Sequence, residues 1–198
     1  MRYIIMADGK GRRWQNYMGL DKHCISIGGE TLMERTVRLL HEADADAEVI
    51  ITSHNEALNV KGAVRYEPKN NVLEIDRFTA ELIDDNVCFL YGDVFYAEET
   101  VKRIVNDKSD ERVLFFGNEK SICAALVRDG ELFASLVNEI RSRFLAGEID
   151  ECKGWQVYHL YAALPLSGRD IGEHFINVSN LTCDFNAPED YEQFVREK

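Results

Sequence analysis

The sequence lacks the patterns that mark disordered, multidomain and membrane-spanning chains. It has only three prolines, no repeat and no low-complexity stretch in 198 residues, which argues against separate domains joined by linkers. No apolar run approaches the ~20 residues that span a bilayer, and no signal-peptide pattern opens the chain. We therefore expect one soluble domain over residues 1–198, large enough to bury a proper core.

An excess of positive charge is also absent. Lysine and arginine number 23 against 35 aspartates and glutamates, which gives a formal net charge of -12. A protein that binds DNA or RNA needs a basic surface, so this balance argues against a nucleic-acid partner. The balance does not argue against a nucleotide as the ligand, because binding a nucleotide needs only a small local cluster of cations.

Paired cysteines and metal-binding histidine patterns are missing as well. The five cysteines are an odd number without a C-x-x-C pair, and the five histidines lack metal-ligand spacing. This excludes a disulfide or zinc framework and predicts reduced thiols in a cytoplasmic protein. A hydrolase triad has no support either, since no Gly-x-Ser-x-Gly occurs.

Apolar runs alternate with amphipathic helical patterns along the chain. The patterns predict strands over residues 3–7, 48–52, 87–91, 112–117 and 122–127, and helices over 31–43, 76–85, 98–106, 131–145 and 188–196. Weaker patterns over residues 158–164 and 174–178 mark two further candidate elements. This alternation predicts a single-domain, three-layer α/β/α fold with a mainly parallel sheet. Ligands of such sheets bind beyond the carboxyl ends of the strands.

A glycine-rich basic loop follows the first predicted strand. The strand ends in Met-Ala, and Asp-Gly-Lys-Gly-Arg-Arg follows at residues 8–13. Glycines let backbone amides approach a triphosphate, and the cations can neutralise its charge. The loop lacks the third glycine of a dinucleotide fingerprint and the Gly-Lys-Ser/Thr of a Walker loop. We expect the following residues to bind a nucleotide: Met6, Ala7, Asp8, Gly9, Lys10, Gly11, Arg12 and Arg13.

With two later segments, this loop resembles the opening of the nucleotidyltransferase superfamily with a GT-A-like, Rossmann-like fold. That signature runs Leu-Ala-(Ala/Gly)-Gly-x-Gly-x-Arg, then Pro-Lys, then Gly-x-x-Leu-(Leu/Ile)-Glu-Arg. The matching residues are Met6, Ala7, Gly9, Gly11 and Arg13, then Lys22, then Gly29, Leu32, Glu34 and Arg35. The superfamily includes sugar-phosphate nucleotidyltransferases, phosphocholine and alditol-phosphate cytidylyltransferases, and molybdenum-cofactor guanylyltransferases.

The resemblance implies that Lys22 and Arg13 are the catalytic cations. Lys22 would reach the transferring phosphate and offset the charge that builds up in the transition state. Two residues depart from the family pattern. Asp8 stands where Ala or Gly is usual, which makes it a candidate contact for base, ribose or metal, or a sign of altered chemistry. Asp21 replaces the proline, although Gly-Leu-Asp-Lys is similar to the molybdenum-cofactor branch.

Two acidic segments are candidates for binding Mg²⁺ or Mn²⁺. A predicted buried strand ends in Gly92-Asp93, and the resemblance implies that Asp93 binds the metal. Near the end, Asp-Phe-Asn-Ala-Pro-Glu-Asp begins at Asp184. The second ligand in the family is an Asp or Asn at the position of Asn186, and Asp184 is the neighbouring alternative. Glu189 and Asp190 read as helix-start residues and are left out of the site.

The segment 66–77 lies where relatives contact the base. Asn71, Asp76 and Arg77 are its candidate contacts, and Trp155, His159 and Asn177 are candidates for the acceptor pocket. The resemblance implies transfer of a nucleoside monophosphate, CMP or UMP in preference, from an NTP to a phosphorylated sugar, alditol or amino alcohol. Pyrophosphate would be released, and the product would serve a surface polysaccharide. The two alternative functions are a molybdenum-cofactor guanylyltransferase and a non-catalytic nucleotide sensor. The oligomeric state is not determined by the sequence, and a homodimer is one option.

Overall fold

A seven-stranded sheet forms the centre of the computed structural model, which describes residues 1–178 and 182–197. Its strands are β1 (Arg2–Met6), β4 (Glu48–Thr52), β5 (Val64–Tyr66), β6 (Val87–Tyr91), β8 (Val113–Gly117), β9 (Ile122–Val127) and β10 (Phe175–Asn177). Two short ladders lie outside it: β2 (Ser26–Ile27) with β3 (Glu30–Thr31), and β7 (Val94–Phe95) with β11 (Cys183–Asp184). The helices are α1 (Leu32–Ala43), α2 (Glu98–Val105), α3 (Gly130–Leu145), α4 (Gly154–Tyr161) and α5 (Pro188–Glu197). Over the described residues, none of these helices has the length and apolarity to cross a membrane.

The sheet order β10-β8-β9-β6-β1-β4-β5 places β1 in the middle. Its neighbours β4 and β6 are both parallel to it, whereas β9 runs antiparallel to β6 and β8. Strands buried on both faces must be apolar along their whole length, which explains the runs of Val, Ile and Phe. Because β1, β4 and β6 are parallel, the residues that follow them meet at one edge of the sheet.

Helices cover both faces of the sheet and close two apolar cores. One core contains α1 and α2 residues such as Val37 and Ile104, and aromatic residues at and beside α5 pack onto it. The other contains residues of α3 and α4 and is rich in aromatic rings. The predicted three-layer α/β/α architecture is therefore confirmed, with a sheet that is mixed only through β9.

Most predicted elements lie within one residue of their observed bounds. Helix α1 begins as its sequence predicts, because Thr31 and Glu34 form a capping box with a Thr31 N to Glu34 Oε2 distance of 2.8 Å. The predicted helix over residues 76–85 is wrong: this stretch contains 3-10 turns at Glu74–Phe78 and Ala80–Leu82. Thr79, with φ of 39°, separates the two turns and prevents a continuous helix.

Phe133 is the centre of the aromatic core. Its ring is fully buried and lies edge-on to Phe78 and stacked on Phe89, with ring centroids 5.1 and 5.7 Å away. Replacing it by alanine leaves a cavity that these rigid rings cannot fill, so Phe133→Ala should lower the free energy of unfolding by about 3–5 kcal/mol.

Urea denaturation measures this loss, and Leu145→Ala on the same helix is the control. Leu145 is 62% exposed, so its truncation should change the free energy of unfolding by less than about 0.5 kcal/mol. Equal effects of the two substitutions would contradict the assigned core.

Candidate active site

The loop after β1 presents three unpaired cations to solvent. Lys10, Arg12 and Arg13 are exposed, and none of them forms an ion pair or hydrogen bond with another residue in the ranges 1–178 and 182–197. The guanidinium of Arg77 covers Gly9, where a Cβ atom would lie 3.3 Å from Arg77 Cζ. Gly11 has a φ of 53°, in the left-handed region that favours glycine. The loop thus gathers positive charge around accessible backbone, as an anion-binding site requires.

Met6 and Ala7 can take part in this site only through their backbones. Both side chains are buried, the Met6 carbonyl accepts a hydrogen bond from Gly92 N at 3.0 Å, and Ala7 N donates to the Thr52 carbonyl at 3.1 Å. These bonds attach the start of the loop to the ends of β4 and β6.

Lys22 and Asp93 form a buried ion pair beside the loop. The ammonium of Lys22 donates to Asp93 Oδ2, and the two residues are only 5% and 7% exposed. A 3-10 turn, Lys22–Cys24, holds the lysine, and the carboxylate of Asp21 caps this turn by accepting from His23 N at 2.9 Å. Asp21 therefore positions Lys22 and does not face the loop as a free acid.

Gly92 brings Asp93 close to the loop. A Cβ atom on Gly92 would lie 2.8 Å from the Met6 carbonyl oxygen, so only glycine permits this approach of β6 to the end of β1. Burial alone would raise the pKa of Asp93, but the charge of Lys22, helped by His23 and Arg77, outweighs burial and brings the pKa below its usual value. Asp93 is therefore ionised at neutral pH.

The chain near residue 184 returns to the same place. Strand β11 pairs with β7, and Phe185 N donates to the Asp93 carbonyl at 2.7 Å. This ladder sets Asp184 and Asn186 beside Asp93, and the Asn186 amide donates to Asp184 Oδ2. Burial, followed by the negative charge of Asp93, raises the pKa of Asp184. Two carboxylates thus lie close together beside Lys22, and the charge of Asp93 disfavours ionisation of Asp184.

A small cavity joins the loop to Lys22. Its volume is about 190 Å³ and its walls include Gly9, Lys10, Gly11, Asp21 and Lys22. A larger cavity of about 1240 Å³ begins at Asp184 and extends away from the loop. Six acids and three cations line the larger cavity, so its charge does not favour a phosphate. The smaller cavity, with Lys10 and Lys22 in its walls, is therefore the better candidate for binding a phosphate.

The carboxylate of Asp8 accepts hydrogen bonds from residues of two neighbouring loops. Its Oδ1 accepts from His54 N at 3.0 Å, and its Oδ2 accepts from His54 Nδ1 at 2.8 Å and from Asn71 Nδ2 at 2.6 Å. Both carboxylate oxygens are thus committed within the protein, which argues against Asp8 as a metal ligand. The His54 contact was not predicted, although Ser53-His54 follows β4 at the same edge of the sheet.

Asp76 is placed in a supporting role. Its carboxylate accepts hydrogen bonds from Val72 N and Leu73 N and pairs with Arg141, whose Nε lies 3.0 Å from Asp76 Oδ1. These bonds fix the turn that carries Arg77, so we exclude Asp76 from the nucleotide contacts predicted for it.

The residues predicted to line the pocket for the acceptor substrate do not lie together at this site. Trp155 is buried and stacks on Phe175, and both ring nitrogens of the fully buried His159 face backbone carbonyls. Both residues support the fold. Asn177 ends β10 and lines the larger cavity.

Residues 3–143 match the MobA-like NTP transferase domain family. No curated protein sequence matches this chain.

Solved structures resemble it over nearly their full length. A CTP:phosphocholine cytidylyltransferase from Streptococcus pneumoniae is 12% identical, with a TM-score of 0.62 and coverage of 100% of this chain and 99% of that one. A nucleoside-diphosphate-sugar pyrophosphorylase from Vibrio cholerae is 14% identical, with a TM-score of 0.63 and coverage of 99% and 100%. The inositol-1-phosphate CTP transferase from T. maritima is 11% identical, with a TM-score of 0.61 and coverage of 99% and 93%. At these identities the structures establish a common fold.

Burial of Asp184 beside the negative charge of Asp93 should cost stability when Asp184 is ionised. An acid whose pKa is raised by folding destabilises the folded state once it ionises, so the cost appears as pH rises through the raised pKa and vanishes at lower pH. Asp184→Asn removes this charge and keeps an oxygen that can accept from Asn186. In metal-free buffer at pH 7 we expect the Tm to rise by about 2–4 °C.

Thermal scans with a chelator present, repeated at decreasing pH, test this expectation, since the gain should shrink as Asp184 becomes protonated. Asp190→Ala is the control, and it should change the Tm in the opposite direction. Asp190 Oδ2 accepts from Asn186 N and Ala187 N at 2.9 and 2.8 Å and so caps α5, and its loss should lower the Tm. A lower Tm for Asp184→Asn would refute the assigned repulsion.

Proposed function

The chain belongs to the MobA-like NTP transferase domain family and is a nucleotidyltransferase; we propose that it transfers a nucleoside monophosphate from an NTP to the phosphate of a small molecule. The observation that carries this proposal is the buried Lys22–Asp93 pair, flanked by Asp184 and by a loop whose exposed cations pair with none of the described residues. These groups provide positive charge for a triphosphate and oxygen ligands for a metal ion within one short stretch of the sheet edge.

The triphosphate would lie along the loop after β1. Backbone amides of Gly9 and Gly11 can donate to phosphate oxygens, and Lys10, Arg12 and Arg13 can neutralise their charge without breaking any internal ion pair. Lys22 lines the same small cavity and would meet the α-phosphate.

A divalent cation fits the acidic end of the site. Asp93, Asp184 and Asn186 offer carboxylate and amide oxygens, which are the ligands that Mg²⁺ and Mn²⁺ prefer. Mg²⁺ takes only one or two carboxylates from a protein. Among the described residues, no group of three or more His, Cys, Asp or Glu is placed to hold a metal. When bound, the cation would neutralise charge on the phosphates, and it would also offset the repulsion between Asp93 and Asp184.

The reaction needs little acid–base chemistry from the protein. An oxygen of the acceptor phosphate attacks the α-phosphorus of the NTP and forms a new P–O bond, while the bond from the α-phosphorus to the bridging oxygen breaks and pyrophosphate leaves. An ionised phosphate is already a nucleophile, so no strong general base is required. The chain supplies positioning and charge, with Lys22 held by Asp93 in advance of substrate binding.

CTP or UTP and a sugar, alditol or amino-alcohol phosphate are the proposed substrates, with surface polysaccharide synthesis as the proposed role. The similar structures named for transfer from CTP to phosphocholine and to inositol-1-phosphate support a cytidylyltransferase. The family description and the Gly-Leu-Asp-Lys segment favour the second candidate, a molybdenum-cofactor guanylyltransferase. A nucleotide sensor differs from both because it would bind an NTP without releasing pyrophosphate.

Pyrophosphate release with Mg²⁺, measured over a panel of NTPs and phosphorylated acceptors, tests the function. Lys22→Ala should lower kcat/KM by about 100-fold or more, because it removes charge that stabilises the transition state. Arg13→Ala should raise KM for the NTP and leave the Tm unchanged, since Arg13 is exposed and makes no ion pair with the described residues.

Lys61→Ala, at another exposed lysine, is the matched control and should retain full activity. Circular dichroism must accompany Lys22→Ala, because this variant leaves Asp93 buried without its partner. Full activity in both Lys22→Ala and Arg13→Ala would overturn the assigned site.

A further inference from the structure

Asp8, where the family usually has Ala or Gly, holds the side-chain amide of Asn71 from two directions. Asn71 Nδ2 donates to the Asp8 carbonyl at 2.7 Å and to Asp8 Oδ2 at 2.6 Å. A primary amide carries two N–H groups, so both donors of Asn71 are used by one residue. The amide is therefore fixed in position and in orientation.

The donors and acceptors of its hydrogen bonds determine which way the Asn71 amide is oriented. The backbone carbonyl and the carboxylate of Asp8 can only accept hydrogen bonds, so the amide nitrogen of Asn71 must face them and its Oδ1 must face away. Within the described ranges, 1–178 and 182–197, no residue donates to this oxygen. Asn71 is half-buried and thus offers the site one fixed acceptor and no donor.

This acceptor stands at the far end of the phosphate loop from the metal ligands. Lys22 and Asp93 lie toward β6, whereas Asn71 follows β5 and joins the loop on the side of β4. If the α-phosphate meets Lys22, a nucleoside directed along the sheet edge toward β4 and β5 brings its base to Asn71. This step rests on the function proposed above.

We propose that Asp8 determines base specificity by fixing Asn71 as an acceptor, so that the site selects a base with an amino group over one with a carbonyl at the same position. Cytosine and uracil differ in this way at C4. The amine of cytosine can donate to Asn71 Oδ1, whereas the carbonyl of uracil would meet a second acceptor and lose its hydrogen bond to water. The enzyme is therefore selective for CTP over UTP.

Calorimetric titration of the full-length chain with CTP and with UTP, both with Mg²⁺, tests the proposal. Wild type should bind CTP about tenfold more tightly than UTP, the ratio expected when one hydrogen bond is replaced by an unsatisfied pair. Asp8→Ala removes the carboxylate and leaves the amide with the backbone carbonyl of residue 8 as its one partner. The amide is then held less firmly, so the ratio should fall toward one. Asn71→Ala should weaken CTP binding about tenfold and leave UTP binding little changed.

Asn70→Ala is the matched control. Asn70 is exposed, and its side chain makes no hydrogen bond with the described residues, so its loss should preserve the wild-type ratio. Equal binding of CTP and UTP by wild type, tighter binding of UTP, or an unchanged ratio in Asp8→Ala and Asn71→Ala would overturn the specificity and leave the transferase function standing. Failure of wild type to bind any NTP or to release pyrophosphate would instead overturn the proposed function and this specificity with it.

Discussion

A lysine ammonium and an aspartate carboxylate, both removed from water, face each other where the loop after β1 meets the end of β6. Taking two charges out of water costs several kcal/mol for each ion, and their attraction repays this only when the geometry is tightly held. The surrounding structure supplies that geometry. Asp21 caps the turn that carries Lys22, and Gly92 lets β6 approach the carbonyl of Met6. A pair maintained at such cost is difficult to explain as a contribution to stability alone.

The charges around this pair divide into two kinds. Lys22, Asp93 and Asp184 are buried or half-buried, and the pKa shifts of the two aspartates reflect their burial and their interactions with neighbouring charges. The loop cations are exposed and unpaired with the described residues, so water screens them until a ligand arrives. An anionic ligand that covers the loop would displace this water and strengthen every interaction beneath it. The buried charges at the centre of the site are thus in place before a ligand binds. The exposed loop cations at its rim would become ordered only by contact with the ligand.

Sequence patterns predicted the sheet well because β1, β4, β6, β8 and β9 are continuous apolar runs, buried on both faces. They failed at residues 76–85, where side-chain bonds to Asp76 and the left-handed Thr79 override local helical preference. The loop, Lys22 and Asp93 were chosen as site candidates by their resemblance to a superfamily, and the structure brings Lys22 and Asp93 together. The partners of Asp8 could not, since His54 and Asn71 come from other strands and only the sheet order brings them together. Helix α4 was also missed, because it is buried nearly all round and has no clear amphipathic period.

The two-residue ladder between β7 and β11 has a consequence for how much of the chain the site requires. Asp184 and Asn186 lie beyond residues 3–143, the part that matches the family, yet they stand beside Asp93 only after that ladder has formed. The loop side of the site depends on the same final segment. Trp14, at the end of the loop, packs edge-on to Tyr191 of α5 with ring centroids 6.3 Å apart, and Tyr17 Oη donates to Glu192 Oε1 at 2.8 Å. Both the acidic and the basic side of the site are therefore tied to the last part of the chain, so a truncation before β11 should disturb the loop as well as remove Asp184 and Asn186.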